Sequence, residues 1–367
     1  MREGWTYKKL GEVASYINGY AFKPEQWKES GTPIIRIQNL NNPEAPYNYY
    51  DGEVPEKVKI QNGDLLISWS ASLGAYIWDG GAAFLNQHIF KVEFDKTDID
   101  KMYLKYAVTS KLEAMANLVH GATMKHIVKK DFDNTLIPYP SKSQQAAIVS
   151  ELDEITSLLA LKHEQLQKYD KLEQSLFYEM FGDPVENEKG WEVKKLNEFA
   201  TLINGRAYKQ EELLNKGKYP VLRVGNFFTN NSWYYSDLEL DEDKYCDKGD
   251  LLYAWSASFG PKIWEGEKVI YHYHIWKVVL SVLVDKTYLF CLLERMTKDL
   301  KQQVHGATMV HLTKAKMEQT KLPLPPLPLQ QQFASRIEQI ESQKQQVQAA
   351  IERLETLLAS RMQYWFE

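Results

Sequence analysis

The sequence predicts an α/β (α+β) fold that arose by tandem duplication, with two globular domains separated by two long helices. The pentapeptide HGATM occurs at residues 120–124 and again at 305–309, and in both places another histidine follows after one intervening residue. Other stretches recur at almost the same offset, so the order of the parts is domain, helix, domain, helix. The clearest further pairs are NGYAFK (18–23) with NGRAYK (204–209), and NGDLLISWSASLG (62–74) with KGDLLYAWSASFG (248–260).

Each globular part is predicted to mix strands and helices. Runs such as PIIRI (33–37), DLLISW (64–69) and HIFKVEF (88–94) are rich in Ile, Val, Phe and Trp and lie between Gly, Asn and Pro turns, which is typical of strands. Segments 103–116 and 288–303 are predicted to be helices. We therefore expect one domain over residues 1–142 and the other, with a linker at its start, over 183–328.

Apolar residues repeat with alternating four- and three-residue spacing in the predicted helices at 143–182 and 329–367, which is coiled-coil spacing. The seam is interrupted at Lys162 and Lys344, and Gly182 is placed to cap the end of the first helix. Helices of about 35 residues would each extend about 50 Å. We expect them to form an antiparallel coiled coil with pseudo-twofold symmetry. The seam residues are Ile148, Leu152, Ile155, Leu159, Leu166, Phe333, Ile337, Ile340, Val347, Ile351 and Leu354.

Composition and charge exclude some classes of protein. The 367 residues are 44% hydrophobic and 25% charged, which is an ordinary globular composition. No apolar run is long enough to cross a bilayer and the N-terminus lacks the apolar stretch of a signal peptide, so we expect a cytoplasmic protein with free thiols at Cys246 and Cys291. Residues 143–186 carry a net charge of −6 against −5 for the whole chain. Both globular parts are thus near neutral, and each can hold a local basic face for nucleic acid.

The motifs of several enzyme classes are absent from the sequence. There is no phosphate-binding GxxxxGK[ST] loop, no Gly-rich dinucleotide or S-adenosylmethionine fingerprint, and no NPP-aromatic motif of amino-methyltransferases. His272 and His274 could lie on one face of a strand as a metal pair, but the first copy keeps only the second of them, as His88. We therefore predict no catalytic residue, no metal site and no cofactor bound by this chain.

Positions shared by the two copies differ in expected role from positions that diverge. A shared polar residue serves the fold or a uniform ligand part such as a phosphate, whereas a divergent one can read a base edge. Alternatives stay open: HGATM also suits a turn and helix cap, and divergence also arises by drift. The predicted backbone-contacting residues are Lys23, Arg36, Asn39, His120, Gly121, Thr123, Lys125, Lys209, Arg223, Asn226, His305, Gly306 and Thr308. The predicted base-reading residues are Tyr20, Gln38, Tyr76, Asn86, Gln87, Arg206, Lys262, His272 and Tyr273.

These motifs together resemble the specificity subunit of type I restriction-modification systems. The resemblance extends over the whole chain, through the GW…KKLGEVA start (4–14), the WSAS-x-G and HI-x-KV strands, HGATM, the proline-marked helix entries and MFGDP (180–184). It implies two target-recognition domains, each reading half of a bipartite double-stranded DNA site, with the helices as an antiparallel spacer. It implies two methyltransferase partners that use S-adenosylmethionine, and a restriction-translocase subunit, using ATP and Mg, that can join. The divergent positions predict two unlike half-sites.

Three other functions are alternatives to the one that this resemblance implies. A free-standing DNA-binding regulator would bind its operator without a partner. A self-contained DNA-modifying enzyme, such as a nuclease or methyltransferase with a disguised motif, is disfavoured by the missing signatures. A tandem lectin-like module is disfavoured by the expected cytoplasmic location and the predicted coiled coil.

Overall fold

The computed structural model describes residues 5–42, 44–117, 127–228, 232–256, 259–303 and 313–367. The chain divides into two compact units. Unit 1 comprises residues 1–163 together with 349–367, and unit 2 comprises residues 164–348. The predicted boundaries at 142, 182 and 328 differ from this division because each long helix has one part in each unit.

The described part of the first repeat begins with a strand and ends with the first long helix. Its elements are β1 (Thr6–Lys9), α1 (Leu10–Val13), β2 (Ser15–Asn18), β3 (Thr32–Ile35), α2 (Ile37–Asn41), β4 (Asn48–Tyr50), β5 (Lys59–Ile60), β6 (Leu65–Ser68), β7 (Gly74–Ile77), β8 (Ala83–Leu85), β9 (Ile89–Glu93), α3 (Lys101–Asn117), α4 (Lys129–Asn134), β10 (Leu136–Tyr139) and α5 (Lys142–Phe181). Short 3-10 helices lie at Pro24–Gln26 and Glu56–Val58.

The second repeat follows the same order. Its elements are β11 (Val193–Lys195), β12 (Ala200–Asn204), β13 (Tyr219–Leu222), α6 (Val224–Phe228), β14 (Tyr234–Ser236), β15 (Tyr245–Cys246), β16 (Leu251–Ala254), β17 (Gly260–Ile263), β18 (Val269–Tyr271), β19 (Ile275–Leu280), α7 (Lys286–Gln303), α8 (Lys314–Glu318), β20 (Lys321–Pro323) and α9 (Leu327–Phe366). Short 3-10 helices lie at Leu196–Glu198, Gln210–Glu212 and Glu242–Lys244.

Among the described residues, both units contain the same three kinds of sheet. In unit 1, one four-stranded antiparallel sheet has the order β2-β9-β6-β7, and a second has the order β4-β3-β8-β5 with β3 and β8 parallel. Strands β1 and β10 form a separate antiparallel pair. Unit 2 repeats these arrangements as β12-β19-β16-β17, β14-β13-β18-β15 and β11-β20. The predicted tandem duplication of a mixed α/β part is confirmed in the described residues.

The main core of each unit contains side chains from both long helices. In unit 1, Ile148 and Leu152 of α5 and Phe366 of α9 are buried with the strands of the β2 sheet and with α3. In unit 2, Phe177 of α5 and Phe333 of α9 occupy the matching core. Each core therefore joins two helix segments that lie far apart from one another in the sequence.

The observed bounds of α5 and α9 agree closely with the two long helices predicted at 143–182 and 329–367. Gly182 follows α5 with φ of +75°, and its N–H bonds to Tyr178 O at 2.9 Å, which is the left-handed helix end that glycine favours. Within unit 2, Glu173 pairs with Lys344 and Phe177 packs on Phe333, so these two segments run in opposite directions. Of the seam residues, Leu159, Leu166 and Leu354 are half-buried and the other eight are buried.

The seam interruption at Lys344 is filled by an ion cluster in unit 2. Its Nζ lies 2.9 Å from Asp170, 3.3 Å from Glu173 and 3.0 Å from Glu341. Burial, and a hydrogen bond shared with Glu341, raise the pKa of Glu173 to about 7 although Lys344 acts in the opposite sense. Glu173 is therefore close to the midpoint of its titration at neutral pH.

This pKa predicts a pH-dependent stability for unit 2. The folded-state pKa of Glu173 is about 7 and lies above its unfolded value of about 4.3. The stability that Glu173 contributes is therefore fully present below about pH 4.3 and is lost as the pH rises through about 7. Glu173→Gln is expected to raise the melting temperature at pH 8 and to flatten its decrease between pH 5 and pH 7. Thermal unfolding by circular dichroism measures both.

The control for this experiment is Glu164→Gln, on the same helix, where an exposed carboxylate is paired with Lys168. This variant should keep the wild-type pH profile between pH 5 and pH 7. A Glu173→Gln profile parallel to that of the wild type over this range would contradict the raised pKa.

Candidate nucleic-acid interface

Three of the predicted base-reading residues of unit 1 lie together at the β8–β9 turn. Tyr20 forms an isolated bridge with Asn86, its N–H bonds to Leu85 O at 2.7 Å, and its carbonyl accepts the N–H of Gln87 at 3.0 Å. The N–H of Asn86 bonds to Ile35 O at 3.1 Å, which places the following residue, Arg36, beside the same turn. We name Tyr20, Arg36, Asn86 and Gln87 loop cluster 1.

Unit 2 builds the same cluster from different side chains. Arg206 bridges to His272, its N–H bonds to Tyr271 O at 3.0 Å, and its carbonyl accepts the N–H of Tyr273 at 3.0 Å. The N–H of His272 bonds to Leu222 O at 2.9 Å, so Arg223 takes the place of Arg36. We name Arg206, Arg223, His272 and Tyr273 loop cluster 2. The backbone of the two clusters is the same and three of four side chains differ.

A glycine makes each cluster possible. A Cβ on Gly19 would lie 2.2 Å from Asn86 O, and a Cβ on Gly205 would lie 2.2 Å from Tyr271 O. No side chain fits at that distance from a backbone oxygen, so the Gly of NGYAFK and NGRAYK is required by close approach.

The imidazole of His272 is uncharged at neutral pH. Burial lowers its pKa to about 4, with further lowering by the neighbouring His274 and Arg223. The rings of His272 and His274 have centroids 4.8 Å apart, and Tyr208 stacks on His272 at 6.4 Å. A neutral imidazole offers one donor and one acceptor, which suits hydrogen bonding to a base edge better than attraction of a phosphate.

The predicted backbone-contacting cations precede short helices. Arg36 caps α2, donates from Nη1 to Asn48 Oδ1 at 3.1 Å and lies over the Trp27 ring at 4.9 Å. Arg223 is exposed and lies over the Tyr234 ring at 5.0 Å. Lys23 and Lys209 are exposed just before their 3-10 helices. These four positions leave cationic side chains at matching places in both copies.

The placement of Asn39 and Asn226 differs from that expected of side chains that donate hydrogen bonds to a phosphate. Asn39 is buried, its Oδ1 accepts the N–H of Arg36, and its Nδ2 donates to Ala45 O at 3.2 Å. Asn226 is likewise buried and donates to Ser232 O at 2.6 Å. Both amides brace the loop after the short helix, and the strand predicted through PIIRI ends at Ile35 because this cap begins there.

Three other predicted base-reading residues lie around α2 and on the edge strands. Tyr76 is half-buried on β7, its hydroxyl donates to Asn41 Oδ1 at 2.8 Å, and burial raises its pKa. Lys262 on β17 donates to Phe227 O at 3.0 Å. Gln38 is exposed on α2 and reaches Pro46 O at 3.4 Å. The structure does not bring these side chains into the two loop clusters.

The repeated HGATM lies outside the described residues. This concerns seven predicted residues, namely His120, Gly121, Thr123, Lys125, His305, Gly306 and Thr308. The first described residue after the first copy, Ile127, donates its N–H to Trp69 O at 3.0 Å, and Trp69 packs against His88 at 5.4 Å between ring centroids. Ile127 and Trp69 therefore lie near the turn that carries loop cluster 1.

Glu212 was not singled out from the sequence, although its side chain pairs with Arg206 of loop cluster 2. Its carboxylate forms a two-point ion pair with Arg206, at 2.8 and 2.7 Å. The signal was present in the comparison of the copies, because Gln26 and Glu212 are matching positions that change together with Tyr20 and Arg206. The described residues hold no group of three or more His, Cys, Asp or Glu side chains that could bind a metal ion.

The family model described as the type I restriction modification DNA specificity domain matches residues 2–173 and 188–355. The chain belongs to this family. The two matched segments correspond to the two repeats, and membership confirms the predicted family together with its role in DNA target specificity. Among the described helices, none combines the length and apolar character needed to span a membrane.

Individual relatives of this family match over almost the whole chain. The chain is 25% identical over 402 residues to the type I restriction enzyme MjaVIII specificity subunit of Methanocaldococcus jannaschii, covering 97% of this chain and 92% of the relative. The S subunit of a type I restriction-modification system from M. genitalium shares the fold with a TM-score of 0.56 at 16% identity, over 99% of this chain and 96% of that one. A chain from a structural study of complex assembly and conformational transition in a type I system gives a TM-score of 0.64 at 16% identity, over 99% and 97%.

The close approach at Gly205 predicts a sharp difference between two glycines of unit 2. Gly205→Ala should push the Arg206 backbone off His272 and cost about 1–3 kcal/mol of stability, because the added Cβ overlaps backbone atoms. Gly225→Ala is the control, since a Cβ there meets nothing within 4 Å. Hydrogen exchange of the amides at 206, 272 and 273 measures the local effect, and equal protection in both variants would refute it.

Proposed function

We propose that the chain is the non-catalytic subunit that recognises a bipartite, asymmetric double-stranded DNA target and docks the catalytic subunits of its system. The observation that carries the proposal is the pair of loop clusters. They share one backbone hydrogen-bonding pattern but present Tyr20, Asn86 and Gln87 in one copy and Arg206, His272 and Tyr273 in the other. Side chains of these types form base-edge hydrogen bonds in a major groove.

The shared cations support a common mode of backbone binding by both copies. Arg36, Arg223, Lys23 and Lys209 carry no sequence information when they contact phosphates, and they fix position and orientation on the duplex. The divergent clusters then read two unlike half-sites. His120, Gly121, Thr123, Lys125, His305, Gly306 and Thr308 are proposed to add backbone contacts.

The long helices are proposed to form an antiparallel coiled coil that separates the two reading units. Each spans 40 residues, which is about 60 Å of helix and more than one turn of B-DNA at about 34–36 Å. The opposite direction of the two segments within unit 2 and the buried seam support this arrangement. The acidic charge of residues 143–186 keeps this part of the chain away from DNA.

The catalytic chemistry is proposed to reside in partner subunits. Two methyltransferase subunits would bind and use S-adenosylmethionine, and restriction-translocase subunits, where they join, would carry out the ATP-driven and Mg-dependent steps, all in the cytoplasm. The relatives are named as specificity subunits of restriction enzymes, which supports a recognition role for this chain. Exposed apolar side chains on the long helices, at Leu158, Leu161, Leu172 and Leu357, offer surface for partner helices.

Selection of duplexes from a random pool tests the proposed recognition. The full chain, purified with the methyltransferase encoded with it, is expected to enrich two different short blocks at one fixed gap. Assays of the chain alone should give neither cleavage nor methyl transfer. A single compact block bound equally well by the isolated chain would instead support a free-standing regulator.

The proposed spacer predicts that helix length sets the gap. Insertion of four residues after Leu159, or at the matching place after Lys344, lengthens a helix by about 6 Å and should widen the gap by about one or two base pairs while both blocks persist. Selection on the same pool measures the gap. A variant with residues 158–161 replaced but not lengthened is the control, and an unchanged gap in the insertion variants would refute the spacer.

A further inference from the structure

Arg206 of loop cluster 2 forms an ion pair with Glu212, which lies outside that cluster in the sequence. Nη1 and Nη2 of Arg206 meet the two carboxylate oxygens at 2.8 and 2.7 Å, so the guanidinium is held end-on in one plane. The arginine side chain keeps 33% of its surface exposed, whereas the glutamate keeps 17%. The hydrogen bond from Arg206 lowers the pKa of Glu212 to about 2, so the pair is fully charged at neutral pH.

Capping does not explain why this position holds a glutamate. Glu212 accepts the backbone N–H of Lys209 at 2.8 Å, and in the first copy Gln26 accepts the N–H of Lys23 at the same distance. A neutral amide therefore completes the same cap. The negative charge is needed only where its neighbour is Arg206, since the first copy has the uncharged Tyr20 at that place.

The remaining contacts of Arg206 leave one edge of its guanidinium available. The ring of Tyr208 lies under its plane at 5.2 Å, and the backbone is fixed on both sides by Tyr271 and Tyr273. In the part of the chain that the structure describes, Nε–H makes no hydrogen bond. The edge formed by Nε–H and the second N–H of Nη2 carries two parallel donors, which match the N7 and O6 acceptors of guanine.

We propose that Arg206, positioned by Glu212, reads a guanine in the half-site bound by unit 2. Unit 1, with Tyr20 and Gln26 at the matching positions, reads its half-site without such a contact. Glu212 acts as a positioning residue, because it fixes the orientation of the arginine without touching DNA itself. This inference rests on the proposed bipartite recognition and adds to it the chemistry of one base position.

The experiment compares variants of the full chain, purified with its methyltransferase, by selection from the random pool and by binding to the selected duplex. The wild type is expected to keep an invariant guanine in one block. Arg206→Lys retains the charge but loses the two-point geometry, so discrimination at that one position should fall about tenfold or more while the other block is unchanged. Glu212→Gln keeps the cap, as Gln26 does, and should weaken the same preference while raising affinity for all sequences, because a negative charge near DNA is removed.

Two further variants separate a base contact from other effects. The double variant R206Y/E212Q reproduces the first-copy pair, so it keeps a known local structure and should lose the guanine preference. Lys209→Ala is the matched control for a backbone contact: it should weaken binding to every duplex and lower the salt dependence by about one phosphate contact. Thermal unfolding checks that each variant is folded.

The outcomes distinguish this inference from the proposed function. If two blocks are selected but Arg206→Lys alters no position, the inference is wrong and bipartite recognition stands. A uniform loss across sequences with a lower salt dependence, as in Lys209→Ala, would make Arg206 a phosphate contact and also overturn the inference. If the wild type selects no pair of blocks, the proposed function itself fails.

Discussion

Both globular cores depend on side chains of the long helices, which bring together parts of the chain that lie far apart in the sequence. Phe366 of α9 is buried against Tyr103 of α3, with ring centroids 5.4 Å apart, and Lys111 donates from Nζ to the carbonyl of Phe366. In unit 2, Phe333 packs edge-on against Phe177 at 5.7 Å. Loss of one such ring costs about 3–5 kcal/mol, a large share of the stability of a domain. Neither core is complete without both helices, so the helices belong to the folding units as much as they connect them.

The duplicated scaffold tolerates new charges where a partner is supplied within the same unit. Two uncharged tyrosines of the first copy, Tyr20 and Tyr76, are replaced by cations in the second. Arg206 is paired with Glu212, and Lys262 donates to the carbonyl of Phe227 at the end of α6. An unpaired cation in a half-buried position would pay a desolvation cost, so divergence at these positions required a compensating neighbour. The backbone could therefore stay constant while its side chains changed chemistry.

Features that depend on local patterns could be predicted from the sequence. The repeat follows from matching short stretches in the two halves of the sequence. The long helices and the glycine cap at Gly182 follow from periodicity and turn chemistry, which act over a few residues. The parallel pairing of β3 with β8 depends on residues about fifty positions apart and left no local signal. The role of Asn39 was likewise not predictable from the sequence. A polar residue shared by both copies looks the same in the sequence whether it faces a phosphate or stabilises a loop, as Asn39 does through its bond to Ala45 O.

Comparison of the two copies within one chain gives information that a single domain would not. Where both copies keep the same residue, the structure shows whether that residue has a structural partner. Asn39 and Asn226 have one, whereas the side chains of Lys23 and Lys209 are exposed. A position where the copies differ can be tested for a second position that changes with it. Gln26 and Glu212 pass that test, since both accept the same cap hydrogen bond and only the carboxylate binds an arginine. A complementary change in a contacting neighbour at a constant backbone points to a role for the charge itself, because the cap alone is satisfied by either side chain.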